Sequence, residues 1–405
     1  MGGSPALRSA DIQPYSLDDH LLCRFIPACK LPGDHRLVAA TKRPVAHAIL
    51  SILESVSGCF VNRFPLVEAA GSAYDMGYEH GAQAAPLIER YLGYIEKTTG
   101  RDRTALAAGA LTYVPFIEAL SPPFLEEVRG LAAGADLSFE EAMICQVRGA
   151  AAQRADVAVE EGCTAFAVTG QGTIGGRTFA GQNQDLGPEF SDLGIVLRLT
   201  PTDGRPRLVT FTFAGQLGYM GMNEHGVGEF ANGLGNAAWR PGLTHYPLKR
   251  RCLELKTVDE CVDLVRAHRT CSAGNMVFCD GQGGIADVEI RPEGIAVFID
   301  DHPCRRLHTN HYISAEFAQH EDGNTPDSCP RLDRIRTLVA ESWGEICVDR
   351  LKLMLADHEG DPGGICRHGE RNSYSVAGYI ADPQAHVLHV RRGLGCTGTW
   401  TEYPV

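Results

Sequence analysis

Three residue types in this chain could cooperate in acyl chemistry: a cysteine at 163, an aspartate at 185 and an asparagine at 232. The run Gly162-Cys163-Thr164-Ala165-Phe166-Ala167-Val168 is followed by a glycine-rich turn over 171–176 and then by Arg177-Thr178-Phe179-Ala180-Gly181-Gln182-Asn183-Gln184-Asp185. A hairpin centred near Ile174 predicts that Cys163 lies across from Asp185. A carboxylate beside a thiol discourages thiolate formation, so the pair makes chemical sense only with a positive group nearby. A freed α-amino group on Cys163 itself would be that group. Its pKa of about 7.7–8.0 leaves a useful fraction unprotonated near neutrality, able to take the thiol proton as a general base. Asp185 would then balance the ammonium that forms. The peptide before Cys163 must be cut first, and Gly162 suits that step because a residue without a side chain admits a strained backbone and attack on its carbonyl. Asn232 closes the segment Gly228-Glu229-Phe230-Ala231-Asn232 after a turn, where a side-chain amide could donate to the oxyanion of an acyl intermediate.

The elements that must position these residues fall into two textures. The first 160 residues read mostly as helix. Val45, Ile49, Ile52, Leu53 and Val56 form one apolar stripe, expected as core first and as a homo-oligomer contact second. A strand is expected over 64–70 and a helix up to about Lys97. Another helix starts at Ser138, whose pairing with Glu141 makes a capping box. From Cys163 onward short alternating runs predict strands over 164–168, 177–180, 194–199, 207–213 and 226–230, then over 375–381 and 386–390. Helices are expected over 257–267 and 330–341, the latter with Pro330 in its first turn. Strands grouped together with helices elsewhere predict a layered α+β fold rather than a doubly wound parallel sheet.

A chain of 405 residues with 44% hydrophobic and 21% charged residues can bury a large core. The net charge of −13 argues against a nucleic-acid partner. The most apolar stretch, 45–61, is interrupted by His47, Glu54 and Gly58 and is too short and polar to span a membrane. The fourteen cysteines are scattered without a tight framework, and residues 1–22 have no apolar signal core, so a cytoplasmic protein with reduced thiols is expected.

Taken together, these residues resemble the acyl-coenzyme A:isopenicillin N (6-aminopenicillanic acid) acyltransferase family of N-terminal-nucleophile (Ntn) enzymes. The resemblance is carried by Gly71 to Gly81, by Leu125 to Ala135, by Gly162-Cys163-Thr164, by Gly181-Gln182-Asn183-Gln184-Asp185, by His308-Thr309-Asn310-His311-Tyr312 and by Ile365-Cys366-Arg367-His368. It implies a four-layer αββα sandwich, with residues 61–162 as its mainly helical part and 163–405 as the catalytic part. Residues 1–60 exceed the family pattern and receive no role. It also implies self-cleavage at Gly162-Cys163, with Cys163, Asp185 and Asn232 as catalytic residues and Arg371 as the nearest counterpart of a family arginine. The expected reaction is hydrolysis or transfer of an acyl group from a small amide, peptide-like or thioester substrate, with no cofactor and with the two fragments staying associated.

Two other readings compete. His302, Cys304, His308 and His311 have zinc-ligand chemistry, which would make the chain a metal-binding or redox-sensing protein, but their spacing matches no common zinc module and no metal is expected. Cys366 and His368, alternating along a strand, are expected to be structural rather than a catalytic pair. A catalytically silent Ntn-fold scaffold is the third reading, and the presence of Gly162, Cys163, Asp185 and Asn232 together counts against it.

Overall fold

The helical part assembles through close backbone contact. Helix α1 (Ala73–Thr99) starts at a capping box between Ser72 and Asp75 and ends at Gly100, whose φ of 63° is the left-handed conformation that a terminating glycine supplies without strain. Helices α2 (Arg103–Leu111) and α3 (Val114–Leu120) lead into α4 (Pro122–Ala135). A Cβ on Gly77 would stand 1.9 Å from the Glu127 carbonyl oxygen, and one on Gly134 would stand 2.1 Å from that of Tyr78. Glycines on both helices therefore let α1 and α4 touch backbone to backbone, which explains why two separate glycine-bearing motifs occur in this half. Helix α5 (Phe139–Val147) begins at the expected Ser138–Glu141 capping box.

The computed structural model describes residues 62–152, 162–235, 237, 239–321, 326–369 and 373–405. The apolar stripe at 45–56, the 1–60 extension and Arg371 lie outside the described residues. Strand β1 (Leu66–Gly71) precedes α1, and α5 is followed by β2 (Gly162–Gly170), β3 (Gly176–Leu186), β4 (Gly194–Pro201), β5 (Leu208–Phe213), β6 (Met220–Asn223) and β7 (Gly228–Asn232). Then come α6 (His245–Cys252), α7 (Val258–Ala267), β8 (Gly274–Cys279), β9 (Ile285–Arg291), β10 (Gly294–Val297) and β11 (Arg305–His308). Helices α8 (Ser328–Glu341) and α9 (Val348–Met354) and strands β12 (Tyr374–Asp382), β13 (Val387–Arg392) and β14 (Thr399–Pro404) complete the chain.

The strands form an eight-stranded sheet, β1-β4-β5-β6-β7-β8-β9-β10, and a six-stranded sheet, β11-β2-β3-β12-β13-β14. Tyr379 of the smaller sheet packs on Phe211 and Phe230 of the larger one, so the two sheets face each other across an apolar interior. Leu332, Ile335 and Val339 of α8 and Leu351 of α9 pack with Phe166, Val168, Phe179 and Ile380 on the outer face of the smaller sheet. Helix α1 lies on β1 and β4, and α7 on β8, β9 and β10. The result is the four-layer αββα sandwich, and the α+β expectation holds. Among the described residues no helix is long and apolar enough to cross a membrane.

One expectation fails, and the failure matters for the site. In the β2–β3 hairpin Cys163 pairs with Gln184, and Asp185 pairs with Gly162. Between the pairs Val168–Phe179 and Gly170–Gly176 the register shifts, with Gly170, Gly175 and Gly176 all at positive φ. This irregular turn, open only to glycine, displaces the midpoint that simple counting places at Ile174. A one-residue slip moves a side chain to the opposite face. Asp185 therefore points to the helical layer, while Cys163 shares its face with Ala165 and Ala167, toward the other sheet.

Candidate active site

The Cys163 thiol is wholly buried at the start of β2. Its cross-strand neighbour Gln184 donates from Nε2 to the sulfur at 3.4 Å. That orientation is imposed from the far side of the sandwich: the Ala231 amide can only donate, so Gln182 must present Oε1 to it, at 2.6 Å. Gln182 Nε2 then faces Gln184 Oε1 at 3.0 Å, and Gln184 is left to offer its own NH₂ group to sulfur. All three side chains are inaccessible to water. Gln184 thus holds a hydrogen-bond donor at the sulfur.

The backbone of the same residue is held by groups far away in sequence. The Cys163 N–H donates to Asn310 Oδ1 at 2.8 Å, and Asn310 Nδ2 donates to the Gly233 carbonyl at 3.1 Å. Arg331, reaching from α8, donates to the Cys163 carbonyl, to Thr164 Oγ1 at 3.1 Å and to Asn310 Oδ1 at 2.9 Å. The Gly162–Cys163 peptide and the residue after it are thus clamped at nitrogen and at carbonyl.

Asp185 anchors a second charge cluster behind this one. Its Oδ1 accepts from the Ser375 hydroxyl at 2.6 Å, and its Oδ2 lies 3.4 Å from Arg367 Nε. Arg367 also pairs with Asp327, and a Cβ on Gly162 would meet its guanidinium carbon at 3.0 Å. Gly162, an extended strand residue, therefore makes room for the arginine where any side chain would crowd it. Complete burial pushes the Asp185 carboxyl above the ordinary carboxylate range, against the pull of Arg367 and Arg331. Asp327 is less buried, and there the same two arginines win against burial and hold its carboxyl low.

Asn232 ends β7 next to Gly233, so the structure brings it to the neighbourhood of Cys163 through Asn310. Asn275 donates to Asp287 and to the Val288 carbonyl, which turns its Oδ1 toward Asn232; Asn232 Nδ2 donates there at 2.7 Å. The second hydrogen of that NH₂ is not used by this bond, and Asn232 Oδ1 is buried without a hydrogen-bond partner.

Gln184, Asn310, Arg331 and Arg367 were not singled out as functional from the sequence. Gln184, Asn310 and Arg367 stand inside segments that carry the family resemblance and Arg331 outside them, and only the true register and the tertiary fold give them their partners. Among the described residues the histidine-rich segment is dispersed over separate contacts: His302 packs at a tilt against Trp343, His308 pairs with Glu289, and His311 meets Ser328.

A family profile described as acyl-coenzyme A:6-aminopenicillanic acid acyl-transferase matches residues 173–384, just over half of the chain. The acyl-coenzyme A:6-aminopenicillanic-acid-acyltransferase 40 kDa form of Emericella nidulans is 25% identical over 337 residues, covering 81% of this chain and 92% of that protein. Among solved structures, a mutant of conjugated bile acid hydrolase from Clostridium perfringens is similar with a TM-score of 0.43 and 13% identity, over 60% of this chain and 97% of that one. Penicillin V acylase from Agrobacterium tumefaciens is similar with a TM-score of 0.39 and 14% identity, over 60% of this chain and 86% of that one.

Proposed function

The chain belongs to the acyl-coenzyme A:6-aminopenicillanic acid acyl-transferase family, and from that premise we propose that it matures by cutting itself between Gly162 and Cys163 and then works through Cys163 as an N-terminal nucleophile. One observation carries the reading: the thiol and the backbone nitrogen of the same residue are each held separately, by Gln184 and by Asn310. In self-cleavage Cys163 Sγ attacks the Gly162 carbonyl carbon and displaces the amide nitrogen, giving a thioester. Water hydrolyses that thioester, leaving a Gly162 carboxylate and a free Cys163 amine. The new amine remains beside Asn310, which accepts one of its hydrogens and turns its lone pair toward the thiol.

In turnover the amine takes the thiol proton, and the thiolate attacks the acyl carbon of an amide or thioester substrate. The amine's extra proton passes to the leaving group. Water then releases the acyl group as an acid, or an amine accepts it. Asn232, with a hydrogen on Nδ2 beyond the one given to Asn275, is suited to donate to the oxyanion of each tetrahedral intermediate. Asp185 takes a role different from direct contact with the amine: it holds Arg367 against Gly162 and helps offset the buried positive charge of Arg331.

The relative in Emericella nidulans is named for a thioester donor and an amine acceptor. The acidic balance of this chain leans the reading toward hydrolysis of a small amide, with acyl transfer through the same acyl-enzyme as the second outcome. The fragments 1–162 and 163–405 should stay together. Strand β1 lies in the larger sheet beside β4, and buried bonds such as Gly215 N–H to His80 Nε2 and Leu217 N–H to Gln146 Oε1 join the two parts. Free cysteines fit a reducing, cytoplasmic setting.

Variants at Cys163 test the assignment. Cys163→Ala should give an uncut chain, inactive on a panel of chromogenic amides and acyl thioesters, whereas Cys163→Ser should process slowly and turn over poorly. Processing or full turnover by the alanine variant would assign the chemistry to another residue.

A further inference from the structure

Away from the nucleophile, on the helical side of the smaller sheet, four side chains from three segments converge. His358 follows α9, Cys366 and His368 flank Arg367 ahead of β12, and Cys396 lies in the turn between β13 and β14. One ligand atom from each lies within 4.8 Å of all the others. His368 Nε2 is 2.9 Å from His358 Nε2, 3.6 Å from Cys366 Sγ and 3.5 Å from Cys396 Sγ. A ring nitrogen carries either one hydrogen or one lone pair, so it cannot satisfy three such neighbours by hydrogen bonding. A tetrahedral ion accounts for the convergence. Bond lengths of about 2.0–2.1 Å to nitrogen and about 2.3 Å to sulfur place the ligand atoms of a tetrahedron about 3.3–3.8 Å apart; the two His368–sulfur separations fall in that range, and the two imidazoles, 2.9 Å apart, would open by a few tenths of an ångström to admit the ion.

We propose that His358, Cys366, His368 and Cys396 form a structural zinc site. Two thiolates and two imidazoles suit zinc and not the oxygen-seeking divalent cations. Four protein ligands close the shell, leaving no position for a reacting water, so the ion cross-links instead of catalysing. The backbone is shaped to allow it: a Cβ on Gly395 would stand 2.2 Å from the Leu355 carbonyl oxygen and 3.0 Å from Cys366 Sγ. Only glycine lets the β13–β14 turn press Cys396 against its partners. Because Arg367 sits between two ligands, the ion pins the segment whose guanidinium meets Asp185, Asp327 and Gly162. This zinc is independent of the proposed nucleophile.

The test uses the full chain, produced with zinc in the medium, purified without chelators and desalted. Elemental analysis should find about one zinc per chain. The metal should be retained in Cys163→Ala and lost from the Cys366→Ser/Cys396→Ser double variant. Exposed His358 gives a milder perturbation, and His358→Ala should release zinc to a chromogenic chelator many times faster than the parent. If the double variant does not fold, Co²⁺ exchanged into the parent chain decides: intense tetrahedral bands with thiolate charge transfer support the site, and weak octahedral bands overturn it. Absence of stoichiometric zinc, zinc persisting in the folded double variant, or a Cys366–Cys396 disulfide in non-reducing peptide mass maps would each refute the proposal.

Discussion

Replacing Asn310 by alanine removes three hydrogen bonds at once: from the Cys163 N–H at 2.8 Å, from Arg331 at 2.9 Å and to the Gly233 carbonyl at 3.1 Å. Arg331 keeps Thr164 and the Cys163 carbonyl, and the Gly233 carbonyl is partly exposed, so the buried group that loses this bond is the Cys163 N–H. A buried polar group that loses its bond costs about 1–3 kcal/mol, which predicts a loss of that size from the Cys163 N–H. The clean measurement is in the Cys163→Ala background, where no cleavage can intervene, by comparing urea unfolding of Cys163→Ala with Cys163→Ala/Asn310→Ala. In the chain that retains Cys163, the same substitution releases the nitrogen of the scissile peptide and, later, the catalytic amine. Misplacement of a reacting group by about 1 Å is worth on the order of a hundredfold in rate, so both processing and turnover should fall by about that factor. An Asn310→Ala chain that unfolds within about 0.5 kcal/mol of its parent, as an inconsequential substitution does, and that processes at the parental rate would refute the clamp on Cys163.

Asn232→Ala should lower turnover by about two to three orders of magnitude, the usual cost of one oxyanion donor, with little change in ground-state affinity; unchanged turnover would place the oxyanion hole elsewhere. His80 predicts an acid sensitivity. Burial lowers its pKa from 6.5 to about 4, so between those values the unfolded chain binds the proton more readily and stability falls as pH drops. From pH 7.5 to pH 5 this one group removes about 2 kcal/mol, and His80→Gln, which keeps an acceptor for the Gly215 amide, should flatten that part of the stability–pH curve. An unchanged slope in His80→Gln would show that His80 is not buried as a neutral ring.

How much of this was legible in the sequence depended on range. Alternation and caps are local, so β2, β4, β5 and the capping box at Ser138 are legible within two residues, whereas β3 runs on to Leu186, six residues past the alternation at 177–180. The β2–β3 hairpin was legible as a hairpin but not in register, because three positive-φ glycines in its turn can absorb a shift that no residue count reveals. Asp185 thus had the right strand and the wrong face. Asn310 and Arg331 stand 147 and 168 residues from Cys163, and nothing local in either residue announces its partner. Cys366 and His368 read from the sequence only as a structural pair, because His358 and Cys396 reach them through the tertiary fold, Cys396 by the close approach that Gly395 permits.

The proposed mechanism requires Cys163 to become a chain terminus. Purified protein, denatured and analysed by intact mass and N-terminal sequencing, should yield two fragments, residues 1–162 and 163–405, with the larger beginning Cys-Thr-Ala-Phe. The two should elute as one species before denaturation. A chain that remains whole after prolonged incubation, yet turns over an amide substrate, would contradict the central claim.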